Sequence, residues 1–491
     1  MTLREHAIAR VTHALFAIVA VVALAACSST TSQQERVAGF RASVPPPSGP
    51  APVLRAPVPT RTILDNGLTV LTVHKSGLPL VSLALVIRSG SATDPADRLG
   101  VAGFVAEAMH TGTKTRTAEQ IADEVETRGA ALHASASEDS MTIEATALEA
   151  NFPAVFDVLA DVLINPKFDP QEIERVRRRR LGRLAQSMDD PRSTAGRVFR
   201  RVVFGDHPYG HRAIGHRKSL EKISRRDLKA FYGAHLRPSN VAVVIVGSLD
   251  DQTALEHVRR RLGSWKGGTG TSKPPSDAQD QAAAVILVDR EEAPQSQLRI
   301  GHLGVKRSHP DYFSIVMCNA ILGGLFNSRI NMNLREDKGY TYGARSAFDF
   351  LRGRGSFVVA TGVETGVTVP AIREILAEIE TIRDADVSAE ELINAKSRYS
   401  LSLAGYFQTV DAVASMIGNI YTYDLPLDYY QKLPEYIAGV SIEDVRRVAQ
   451  TYLRPDNLSI VVVGDANEVK ASLAELGRGD VQWRDAAGDP L

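Results

Sequence analysis

The stretch GVAGFVAEAMHTGT, residues 100–113, places Val101, Phe104, Val105, Ala108 and Met109 on one face at helical spacing, and Gly112 closes the pattern. The same period predicts helices over about Thr117 to Arg128, over 151–164 and over 170–187. TILDNGLTVLTV sets Asn66-Gly67 between two apolar runs, the signature of a hairpin. VSLALVIRSGSA reads as a strand, and the alternation in HASASEDSMTIEATA (133–147) as another. Helices and strands mixed in this way point to an α+β chain.

The pattern repeats. SRRDLKAFYGAHLRPSNVAVVIVG (224–247) aligns without gaps on SIEDVRRVAQTYLRPDNLSIVVVG (441–464), and PAVFDVLAD (153–161) on PAIREILAE (370–378), both at an offset of 217 residues. Two segments sharing one offset imply two tandem copies of one α+β domain of about 200 residues. Two repeats are too few for a solenoid, so each copy is expected to hold its own core. The predicted division is 59–265 for the first domain, 266–283 for a Gly-, Ser- and Pro-containing linker, 284–478 for the second domain and 479–491 for a tail.

The N-terminus changes the picture. Arg4 and Arg10 precede an uncharged stretch from Ala14 to Ala26. It falls short of the ~20 apolar residues of a membrane span and fits the apolar region of an export signal. Leu24-Ala25-Ala26-Cys27 resembles a bacterial lipobox. The expectation is a signal peptide over 1–26, a lipid on Cys27 and a Pro-rich tether over 27–58. Ser28 after the cysteine favours the outer membrane, so the chain is expected as an exported lipoprotein on its periplasmic face. Cys318, in an apolar run, is the only other cysteine and reads as a small buried residue. With 57 basic and 57 acidic residues, no charge excess calls for nucleic acid.

Several motifs together carry a resemblance. Asp65-Asn66-Gly67-Leu68, Arg88-Ser89-Gly90-Ser91 with Asp94-Pro95, Gly112-Thr113, His207-Pro208-Tyr209-Gly210 and Leu236-Arg237-Pro238 with Asn240 resemble the insulinase/pitrilysin family of zinc peptidases, in its processing-peptidase-like branch. The resemblance spans about 61–475. It implies two homologous domains, each a mainly antiparallel sheet with helices packed on it, and a clamshell assembly with a partner.

Active members carry an H-x-x-E-H motif on the opening helix and a further glutamate about 75 residues on. Gly112-Thr113 sets the register. Gly103 then stands for the first histidine, Ala106 for the catalytic glutamate and Glu107 for the second histidine, with the distal glutamate falling near Gly182 or Arg183. None of these can reproduce the ligand set, since a zinc site needs three protein ligands and the chemistry a base. No metal is expected in this chain. Glu107 and Arg183 are read either as an ion pair in place of the metal or as two solvated side chains. His207, His211 and His216 have metal-like spacing, but Pro208 and Gly210 prevent a regular helix there. The basic run Arg177 to Arg180 reads as a solvated face or, less directly, as a basic chamber wall.

The second domain is better kept. QSQLRIG, Gly323-Gly324, Asn327-Ser328-Arg329 and LREDKGYTYGARSAF match the family closely. The resemblance implies that Arg335 and Tyr342 are the arginine and tyrosine that reach a zinc domain in trans and stabilise charge on the scissile carbonyl oxygen. A helix through Leu334 is expected to end at Lys338-Gly339, and a strand from near Tyr340 to put Tyr340 and Tyr342 on one face. Ala134, Ser135, Ala136, Ser137 and Glu138 align with the edge strand on which active members lay substrate. The function implied is a non-zinc subunit of a heteromeric envelope metallopeptidase, with zinc in a homologous partner carrying H-x-x-E-H. The alternative is a catalytically inactive peptide-binding or scaffold protein.

Overall fold

The computed structural model describes residues 56–491 apart from 269 and 271. The expected signal peptide, Cys27 and most of the expected tether lie outside the described residues. Among the described residues, twelve strands form two six-stranded sheets. The first contains β1 (Thr60–Ile63), β2 (Thr69–His74), β3 (Leu80–Ile87), β4 (Ala131–Ala136), β5 (Met141–Leu148) and β6 (Val241–Gly247), in the order β1-β2-β6-β3-β5-β4. The second contains β7 (Val285–Asp289), β8 (Gln295–Leu303), β9 (Ala344–Phe348), β10 (Ser356–Glu364), β11 (Ser459–Gly464) and β12 (Val481–Trp483), in the order β12-β7-β11-β8-β10-β9. In both, one Leu-Arg-Pro-x-Asn segment leads into a central valine strand, β6 or β11, which runs parallel to β2 or β7 and antiparallel to β3 or β8. The repeat in the sequence is a repeat in the fold. Helices cover the sheets, so the α+β reading holds.

The Asn66-Gly67 hairpin forms as expected. Gly67 adopts φ +87°, and the Leu68 N–H donates to the Asn66 Oδ1 (3.1 Å). The segment 133–147 is not one strand. β4 and β5 pair antiparallel around a turn in which the Ser137 N–H donates to the Ser140 carbonyl (2.8 Å). The residues read as a tail include β12, which pairs parallel to β7.

The expectation that each copy holds its own core holds for the first domain and is corrected for the second, whose core also takes in one face of the first sheet. Every residue of β6 is buried. Val241, Val243 and Ile245 face the first domain's core, whereas Ala242, Val244 and Val246 belong to a core shared with the second. The period of two allows one strand to serve both. The covering element is the Val410–Thr422 helix, which packs on β3 and β6. The Pro191–Phe204 helix makes the reciprocal crossing, onto β8 and β11. Its Ala195, Val198, Phe199, Val202 and Val203 pack with Val461 and Val463 of β11. A buried all-apolar strand announces two covered faces but not what covers them.

A polar clamp joins the halves at the same place. The fully buried Tyr209 donates its hydroxyl to Asp139 Oδ1 (2.6 Å) and accepts from the Gly353 N–H (3.0 Å), while the Arg352 N–H donates to Asp139 Oδ2 (2.8 Å). Burial raises the Asp139 pKa, partly offset by these donors. Tyr209→Phe removes a donor from a buried carboxylate and should cost about 1–3 kcal/mol. The check is a urea titration, in which the midpoint falls at an unchanged slope.

Candidate functional site

The opening helix forms at Val101–Met109, and Asp94 fixes its start. The Asp94 carboxylate accepts from the Gly100 N–H (2.6 Å) and the Ala102 N–H (2.9 Å), and His211 Nε2 lies 3.2 Å from it. All nine helical residues are buried except Glu107, which is half-buried. Ala106, which the register reads as the catalytic-glutamate position, is a core methyl.

Glu107 is ion-paired, and its main partner is Arg180, within the run expected as a solvated face. Arg180 Nη1 donates to Glu107 Oε1 (2.5 Å), and Arg183 Nη2 to Glu107 Oε2 (2.5 Å), with Arg179 at 3.5 Å. Arg180 is only 2% exposed. Its guanidinium also donates to the carbonyls of Ala213 (2.6 Å) and Ile214 (2.9 Å). The solvated-face reading therefore holds for Arg178 and Arg179 but not for Arg180, nor for Arg177, which donates to the carbonyls of Leu220 and Ile223.

Gly103 makes room for this arrangement. A Cβ there would lie 2.5 Å from the Ala213 oxygen and 2.8 Å from Arg180 Nη2. The space beside the first-histidine position is thus filled by a guanidinium. The second-histidine and distal-glutamate positions form the Glu107–Arg183 pair, while Gly182 has open space around it. These residues do not fit a zinc ion. Among the described residues no group of three His, Cys, Asp or Glu side chains is placed to hold a metal. His207, His211 and His216 follow this rule too. His207 Nδ1 accepts from the Tyr209 N–H (3.1 Å), and burial lowers the pKa of His216.

Burial raises the Glu107 pKa, but Arg180 and Arg183 outweigh it and hold it below its ordinary 4.5. A depressed carboxylate contributes stability above its unfolded pKa and loses it as pH falls through the folded pKa. Glu107→Gln should therefore flatten the loss of stability below about pH 4.5, relative to the parent chain, in denaturation midpoints measured across pH.

The second candidate pair sits on a different kind of segment. From Tyr312 the chain runs as an α-helix to Asn319, widens into π-helical turns at Ala320–Gly324, breaks, resumes at Arg329–Asn331 and widens again over Met332–Asp337. Such widened turns are frequent at functional sites. Gly323 allows the close approach of β9, since a Cβ there would lie 2.4 Å from Ser346 Oγ. Buried Asn331 ties the parts together by donating to the Phe326 carbonyl (2.6 Å) and accepting from the Ala344 N–H (3.0 Å).

Arg335 is half-buried in the last of these turns, 4.8 Å from the centroid of the Phe326 ring and 3.2 Å from Glu336 Oε1. The helix ends at Lys338-Gly339 as expected, but no strand begins at Tyr340. β9 starts at Ala344. Residues 340–343 form a loop pinned by Thr341, whose hydroxyl donates to the Gly362 carbonyl (2.7 Å) and accepts from the Gly343 N–H (3.0 Å). Tyr340 packs on the core, whereas Tyr342 is 92% exposed. The two tyrosines do not share a face.

Of the five substrate-strand residues, Ala134, Ser135 and Ala136 lie on β4, which ends its sheet and pairs only with β5. Ser137 and Glu138 lie in the following turn, and their carbonyls already accept from the N–H groups of Ser91 and Ala92 (2.9 Å each). Cys318 is buried, and burial raises its thiol to about 12.

The model for the insulinase family, peptidase family M16, matches residues 69–202, and the model described as the peptidase M16 inactive domain matches residues 222–399. An uncharacterized zinc protease of Mycobacterium leprae is 28% identical over 65% of this chain and 73% of that protein. One from Bacillus subtilis is 22% identical over 79% of this chain and 93% of that protein. The crystal structure of a peptidase M16 inactive domain from Pseudomonas fluorescens superposes with a TM-score of 0.78 at 24% identity, covering 83% of this chain and 98% of that one. The last likeness is one of fold.

Proposed function

The chain belongs to the insulinase family of peptidases, M16, and on that premise we propose that it is the non-zinc subunit of a heteromeric metallopeptidase of the cell envelope. The observation that carries the reading is a contrast between two positions. Where active members hold metal, this chain holds the Arg180–Glu107–Arg183 cluster. Where they supply transition-state donors, it keeps Arg335 and Tyr342, with Tyr342 exposed.

Peptide hydrolysis develops negative charge on the scissile carbonyl oxygen. A guanidinium and a phenol hydroxyl held at that oxygen stabilise the charge more in the transition state than in the ground state. Arg335 and Tyr342 would do this in trans, in the site of a homologous partner that bears the zinc. The free edge of β4 supports a peptide substrate bound through backbone groups. Localisation belongs to the same proposal: export by residues 1–26, a lipid on Cys27 and attachment to the periplasmic face of the outer membrane. Labelled palmitate should enter the parent chain and not Cys27→Ala.

The test of the assembly is co-purification with an H-x-x-E-H homologue from the same genome. One complex, containing zinc in proportion to the partner chain alone, is expected. Two separate peaks at micromolar concentration would overturn the assembly. A second reading, an inactive peptide-binding or scaffold chain, is favoured by the same β4 edge, because edge pairing needs no metal. It predicts a complex without cleavage.

A further inference from the structure

Between the two halves lies a cavity of about 330 Å³ lined by Arg192 and Arg200 of the Pro191–Phe204 helix, Arg212, and Arg299 of β8, with Glu138 and Asp349 as its carboxylates. Among the described residues, only Arg200 of these four has its charge met, by Glu138 at 2.9 Å. Arg299 donates to the carbonyls of Leu298 (2.7 Å) and Arg192 (3.1 Å). Asp349 instead accepts from the Ser356 hydroxyl (3.1 Å). Among the described residues, Arg192, Arg212 and Arg299 have no carboxylate within ion-pair distance.

Arg192 and Arg212 are exposed and Arg299 is half-buried, so the cleft presents clustered positive charge that focuses its field and attracts an anion. Burial, and then the neighbouring Arg192, push Arg299 down to about 10, which still leaves it a cation at neutral pH. A second cavity, of about 420 Å³, shares Glu138 and Arg212 with the first and reaches Ala136 and Ser137 at the end of β4. A chain paired along β4 and continuing past Ala136 would run into the arginines.

We propose that this cleft binds carboxylate groups of an extended peptide, so that the protein selects acidic peptides. The proposal rests on β4 as the strand that takes substrate. It makes the excess arginines a specificity device, whether the carboxylate comes from acidic side chains or from the peptide's C-terminus.

The test uses the full chain and fluorescence anisotropy. The probes are a labelled glutamate-rich decapeptide and its glutamine counterpart, each with a free or an amidated C-terminus. The glutamate peptide should bind at least about tenfold more tightly at low salt, the scale of one charge-assisted contact. The margin should vanish in Arg212→Gln and in Arg299→Gln, with the glutamine peptide's affinity unchanged. Arg212 is exposed, so its variant guards against misfolding of the other. Tighter binding of the free-terminus form than of the amidated form of both peptides assigns the terminal carboxylate; a margin of the glutamate over the glutamine peptide assigns the side chains. Equal affinity across all four peptides, failure of all to bind, or a preference retained in both variants would overturn the proposal. Cleavage by a mixed complex is not read in this assay, so its failure leaves the subunit role standing.

Discussion

Arg180→Ala should destabilise the chain by about 3–5 kcal/mol, the usual consequence of removing one partner from a buried ion pair. The substitution leaves half-buried Glu107 with only the more exposed Arg183 and Arg179, and strips the donor from the Ala213 and Ile214 carbonyls. Lysine at 180 should recover only part of the loss, since a single ammonium cannot spread over a carboxylate and two carbonyls as the planar fork does. Gly103→Ala should be destabilising at the same place, because its Cβ meets the Ala213 oxygen before any flexible atom. Chemical denaturation measures all three. A loss under about 0.5 kcal/mol for Arg180→Ala, the range of ordinary surface changes, would mean the cluster is incidental.

In the complex with the zinc-bearing partner, Arg335→Ala should lower kcat about 10²–10³-fold, the cost of one oxyanion donor, with KM nearly unchanged. Tyr342→Phe should act in the same direction and also spare KM. Both side chains are on the surface or half-buried, so the folded state should be unaffected in thermal melts. A rise in KM with kcat unchanged would instead assign them to uniform substrate binding.

Much of the fold was legible. The apolar face of the Val101–Met109 helix, the Asn66-Gly67 hairpin and the repeat all formed where the residues put them. Thr117 and Gln120 form a reciprocal capping box at the start of the next helix. The exchange of helices between halves was not legible, because an amphipathic helix states that a face is buried without stating against what. The β4–β5 turn carries no Gly or Pro signal, because Ser137 and Ser140 hold it with side-chain and backbone hydrogen bonds.

In the site, the register placed Glu107 beside Arg183 correctly. Arg180 was hidden within a run of like charges whose partner lies 73 residues away in the chain. The glycine at 103 was the available signal, a small residue on an otherwise packed helix that calls for a bulky neighbour. The loop carrying Tyr342 broke the strand pattern because Thr341 turns its hydrogen bonds onto Gly362 and Gly343 rather than into a ladder.

The central claim is that this chain contributes donors but no metal chemistry of its own. It is tested most directly by assaying peptide cleavage and bound zinc for the isolated chain, the isolated H-x-x-E-H partner and their mixture. The account predicts no stoichiometric zinc and no cleavage for this chain alone, and chelator-sensitive cleavage once the two are mixed. Robust, chelator-sensitive cleavage by this chain alone would contradict it.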